Sequence, residues 1–97
     1  MSIEAHHGRA LIEEARSALD AAHRAALAAD AGGLRRSLAT ADTLLHDASQ
    51  AGLGEEADAD IAAVRDGVAK ALADLEAGAL VEMELLIEAA RTRLAKA

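Results

Sequence analysis

Apolar residues recur every three or four positions through most of this chain, and alanine is the residue that most often fills those positions. That spacing is the period of an α-helix, and no segment shows the strict alternation of a half-buried strand. Ile12, Ala15, Leu19, Ala22, Ala26 and Ala29 form a first row, widened by Leu11 and Leu27. Leu34, Leu38, Ala41, Leu45 and Ala48 form a second. The third is the longest: Ile61, Val64, Val68, Leu72, Leu75, Ala79, Met83, Leu86, Ala90 and Leu94 stay on one helical face. Of the apolar residues, 28 are Ala and 14 are Leu, against three Val and four Ile, and Pro is absent. These proportions favour helix over strand, so the expected fold class is all-α.

Two glycine-marked breaks divide the chain, Asp30-Ala31-Gly32-Gly33 and Gln50-Ala51-Gly52-Leu53-Gly54. Glycine is the usual residue past a helix end and Asp is a good N-cap, so both read as helix stops. Residues 1–97 are therefore expected to form a single domain of three helices, at about 3–29, 34–49 and 55–96. Short connections make neighbouring helices antiparallel. The third row passes Gly78 without losing phase, which favours one long helix bent near that residue. The steps of four around Ala79 resemble a stutter in a coiled-coil pattern. The alternative is a break at Gly78 and two shorter helices. A continuous third helix would be about 60 Å long and the second only about 24 Å. Part of its apolar row would then need cover from the first helix or another chain, and self-association is expected. Alanine-rich faces let helices approach closely but bury little area each, and with no aromatic residue the core is thin.

Acidic residues number 17 and basic ones 10, for a net charge of −7. Nucleic-acid binding needs a positive face, and single-strand binding usually adds aromatic platforms; neither is present, so nucleic acid is not an expected partner. Cysteine is absent, which removes disulfides, thiolate metal sites and cysteine nucleophiles and fits a reducing compartment. Met1-Ser2-Ile3-Glu4 has neither the basic nor the apolar region of a signal peptide, and no apolar run is long enough to span a membrane. The expected location is cytoplasmic, with no membrane partner. Acids gather at Glu55, Glu56, Asp58 and Asp60, and Arg91, Arg93 and Lys96 stand near the end. That order complements a helix macrodipole.

Residues 79–87 point to a partner. Met83 and Leu86 belong to the main row, Leu80 and Ile87 flank it, and Val81 and Leu85 point to the far side. One amphipathic face does not require the last two, and apolar residues beyond the core face often mark association sites. The expected partner-binding residues are Leu80, Val81, Met83, Leu85 and Ile87.

The candidates for chemistry are histidine–carboxylate pairs. Glu4 with His7 and Asp20 with His23 are one turn apart, and Asp42 with His46 are i,i+4 neighbours. Facing helices build di-metal sites from Glu-x-x-His pairs, but that class needs two such pairs and two further Glu, and this chain has one pair. His46 lacks the Lys-Gly that usually follows a phosphoryl-accepting histidine. No nucleophile elbow or phosphate-binding glycine loop occurs. No enzyme activity, metal or cofactor is expected, and a histidine–carboxylate metal-binding bundle remains the rival reading.

Arg9-Ala10-Leu11 with Glu13, followed by Leu27-Ala28-Ala29-Asp30 and Leu34, resembles the helical C-terminal lid of DnaK-type chaperones, most of all the HscA branch. Lids there often show an Arg-Ala-Leu-x-Glu start and an Ala-Leu-Ala-Ala-Asp stop. The resemblance covers residues 9–76 with several gaps, and Ala-rich helices match one another cheaply. Secretion and flagellar helical chaperones share similar features. This chain lacks the aromatic and Arg-Arg-Met ending of such lids and any nucleotide-binding domain, and no functional residue carries over. The resemblance implies a helical lid or adaptor that covers something, and not a catalyst. The function expected from the whole sequence is that of a non-enzymatic adaptor acting through its C-terminal helix, with a lid-like or secretion-type chaperone as the alternative.

Overall fold

The computed structural model describes residues 3–97. They form four α-helices: α1 (Ile3–Leu27), α2 (Ala31–Ser49), α3 (Glu55–Ala77) and α4 (Leu80–Ala95). The class is all-α, as expected, but the single long third helix is not formed. It is two helices, and the bundle has four members instead of three.

The break falls at Gly78. Its φ of 76° is left-handed, a conformation in which a Cβ crowds the following carbonyl and which glycine enters freely. The turn satisfies the loose carbonyls of α3, with the Gly78 N–H shared by Asp74 and Leu75 and the Ala79 N–H bonding Asp74 at 2.8 Å. The chain then reverses, and α4 lays Met83, Ile87, Ala90 and Leu94 against the rest of the bundle. Uninterrupted phase across Gly78 was a misleading guide. Periodicity reports which face of a helix is apolar and is blind to a reversal that keeps that face turned inward.

The first connection also differs from expectation. Gly32 and Gly33 lie inside the first turn of α2 and do not stop α1. The stop is Ala29 at φ 55°, where Asp30 N–H reaches back to Ala25 O at 2.9 Å. Asp30 then caps α2 through Oδ1, which accepts from Gly33 N–H at 2.9 Å. A Cβ on Gly33 would collide with that carboxylate, so any larger residue there would displace the Asp30 cap. The second connection runs from Gln50 to Gly54, with Leu53 half-buried against the core.

Each helix packs on two neighbours in a closed ring, α1 on α2, α2 on α3, α3 on α4 and α4 on α1, in an array 43 × 19 × 18 Å. The most extensive contact, α1 with α2, uses Ala15, Ala22, Ala41 and Ala48, all fully buried. Leu19, Leu38, Leu45, Ile61 and Met83 fill the space between. Among the described residues no polar side chain is buried, so specificity of pairing falls to the seams. Asp20–Arg91 closes α1 on α4 at 3.0 Å, Asp42–Arg65 and Arg35–Glu76 close α2 on α3 at 2.9 and 2.8 Å, and Asp60–Arg93 closes α3 on α4 at 2.6 Å. These pairs lie at the partly exposed edges of the bundle, where such contacts contribute roughly 0–1 kcal/mol each, so they select register more than they supply stability.

The glycines give a directional test. Gly67 lies in the interior of α3 with open space where a Cβ would project. Gly67→Ala should stabilise by about 0.5–1 kcal/mol, raising Tm by about 4–8 °C per kcal/mol in a domain of this size. Gly78→Ala should cost about 1–2 kcal/mol, and Ala29→Gly should gain a similar fraction by relieving the left-handed residue. Thermal unfolding followed by circular dichroism gives all three signs; a destabilised Gly67→Ala would contradict the packing described for α3.

Candidate functional site

Both short connections, Ala28–Asp30 and Gly78–Ala79, lie at the same end of the bundle, because α1 and α3 run toward it and α2 and α4 run away. Four large apolar side chains are exposed among the described residues, and all belong to this end: Leu27 at 72%, Leu80 at 54%, Val81 at 70% and Leu85 at 66%. Leu27 is the last residue of α1, and the other three lie in the first two turns of α4.

The register of α1 against α4 brings them together. Asp20 pairs with Arg91, and one turn further His23 Nδ1 stands 3.8 Å from Glu88. Another turn in the same antiparallel sense sets Leu27 opposite Glu84, whose neighbours on the α4 surface are Leu80 and Val81. Val81 and Leu85 then form a short ridge along the outer side of α4. Glu84 borders the ridge on the side of α1 and Glu82 on the side of α3. Both glutamates are exposed, and neither has an ion-pair partner among the described residues. Beside Leu80 a notch of about 140 Å³ opens into the bundle end, lined chiefly by Ala25, Ala26, Leu34, Leu75 and Met83.

Two of the five expected contact residues are not on this surface. Met83 and Ile87 are each 2% exposed and belong to the core. The reversal at Gly78 turned their face inward, against α1 and α3, where a straight third helix would have left it uncovered. Leu80, Val81 and Leu85 are on the surface. Leu27 was not singled out as a contact residue. Its signal was its angle: it stands roughly 120° around α1 from Ala15, off the buried row.

Two of the three histidine–carboxylate pairs are drawn into ion pairs with arginine. Arg91 Nε donates to Asp20 Oδ1 at 3.0 Å, and Arg91 also meets Glu88 at 3.0 Å. The hydrogen bond to Asp20 raises the Arg91 pKa above its ordinary value. Arg65 Nε donates to Asp42 at 2.9 Å, its pKa raised by that bond, and its Nη1 lies 3.3 Å from His46 Nδ1. A guanidinium beside each carboxylate places positive charge where a metal ion would sit. His7 is exposed, and the Glu4 side chain lies outside the described residues. Among the described residues no three His, Asp or Glu side chains converge as metal ligands. At the opposite end, an open groove carries charges of both signs, Glu55, Glu56 and Asp60 facing Arg9, Arg93 and Lys96. No described helix is long and apolar enough to cross a membrane. No protein-family model, curated protein or solved structure matches the chain.

Exposure and burial within α4 separate by mutation. Val81→Gln and Leu85→Gln should each change stability by no more than about 0.5 kcal/mol, since neither side chain packs in the core. Met83→Ala and Ile87→Ala should each cost about 2–5 kcal/mol, a large part of the total stability of a small domain. Urea unfolding midpoints compare them; equal costs for the two classes would overturn the described orientation of α4.

Proposed function

We propose that this chain is a non-enzymatic helical module that works by protein contact through the surface of Leu27, Leu80, Val81 and Leu85. One observation carries the reading: among the described residues the large exposed apolar side chains gather at one end of the bundle, at the end of α1 and on the first two turns of α4. Apolar residues scattered singly over a surface need no explanation, whereas a contiguous group rimmed by polar residues is the pattern of an association site. The seams elsewhere are finished with ion pairs, Asp42–Arg65 and Asp60–Arg93 among them, so the bundle does not need this group for its own closure. A lid-like or secretion-chaperone role is a particular form of the same reading, in which the apolar group receives a segment of a client polypeptide.

Photo-crosslinking in cells that produce the chain tests the proposal. A benzophenone amino acid at position 85 is expected to give discrete protein adducts, which Val81→Glu abolishes. The same probe at position 62, exposed on the outer face of α3, should give none. No adduct from position 85, or the same adducts from both positions, would overturn the proposal.

A further inference from the structure

The charges around the apolar ridge select the chemistry of what covers it. Val81 and Leu85 are one turn apart along α4, with Glu84 on one side and Glu82 on the other, and neither glutamate is paired within the described residues. The next carboxylate on the α1 side, Glu88, is by contrast held by Arg91. Arg24 is an exposed cation one turn below Leu27, on the outer side of α1. The whole chain adds a field of the same sign, with a net charge of −7.

Resting on the protein-contact reading above, we infer that the occupant is a basic amphipathic helix of another protein. Its apolar row would lie along Val81 and Leu85, and its flanking Lys or Arg residues would meet Glu82 and Glu84. Two features fit such a helix. The ridge follows the axis of α4, so a second helix packs alongside it with apolar residues at i and i+4 spacing. The negative field of the chain steers a cationic segment toward it.

A second copy of this chain fits less well. Two-fold pairing across α4 would set the unpaired Glu82 and Glu84 of both copies against one another. The exposed apolar group is on the order of a few hundred Å², whereas stable dimers bury about 800 Å² per partner.

The test uses the full chain and two synthetic helical peptides with identical Leu rows, one flanked by Lys and Arg and the other by Glu. Fluorescence anisotropy gives affinity, and backbone amide shifts in NMR spectra locate the contact. The basic peptide is expected to bind about tenfold or more tighter than the acidic one, shifting amides of Leu27 and residues 80–85. Glu82→Lys with Glu84→Lys should reverse that order. Val81→Ser with Leu85→Ser, which leaves the charge unchanged, should lose about tenfold in affinity for the basic peptide. Equal binding of the two peptides, or no binding of the basic one, overturns the inference. So does binding that survives the serine changes, which would be nonspecific attraction to an acidic chain. Sedimentation showing a dimer that Leu85→Glu dissolves would assign the surface to a second copy. These failures leave the wider contact reading standing if position 85 still crosslinks to protein, and only the absence of adducts there removes both.

Discussion

Met83, Ile87, Ala90 and Leu94 form one row on α4, and their burial against α1 and α3 turns three helices into a closed bundle. Alanine makes up much of the interior between α1 and α2, and each alanine removes little apolar area from water. The larger side chains of α4 and of the α3 row therefore supply a disproportionate share of the hydrophobic stabilisation. Without the reversal at Gly78 that row would point into solvent, and α1 would lack its second neighbour. The bundle thus depends on a left-handed glycine whose own contribution is a turn and two hydrogen bonds.

The same reversal creates the candidate site. A turn tight enough to bring α4 back onto α3 leaves the first turns of α4 beside the end of α1. Residues on the outer side of those turns have no third layer above them. Val81 and Leu85 are therefore exposed for the same geometric reason that Met83 and Ile87 are buried: successive residues on a helix differ by about 100°, and α4 has only one face to give the core. The ion pairs on the seams act at a different level. They are only partly buried and individually weak, yet the Asp20–Arg91 pair and the His23–Glu88 contact set the register that brings Leu27 opposite Glu84.

Much of the candidate surface was legible in order. The outward angle of Val81 and Leu85 follows from helical periodicity alone, because neither fits the row of Met83, Ala90 and Leu94. Leu80 could be placed on the flank for the same reason. Leu27 could not be joined to them, since its neighbour across the seam is more than fifty residues distant and their adjacency depends on how α1 and α4 dock. Met83 and Ile87 were assigned to the contact surface as members of the apolar cluster at 79–87, although one lies in the main row and the other on its flank. The histidine–carboxylate pairs were correctly spaced along their helices, but Arg91 and Arg65 reach Asp20 and Asp42 from other helices, and local spacing cannot reveal a distant guanidinium.

By itself the sequence determined the helical class, the apolar face of each helix and the negative charge, because these follow from side-chain chemistry and from a period of 3.6 residues within each segment. Only the tertiary structure decided the number of helices, the direction of the chain after Gly78 and the meeting of Leu27 with α4. Direction and adjacency depend on a few backbone dihedrals and on long-range packing. A reversal that keeps the apolar face inward leaves the local pattern unchanged, so that pattern holds no record of it.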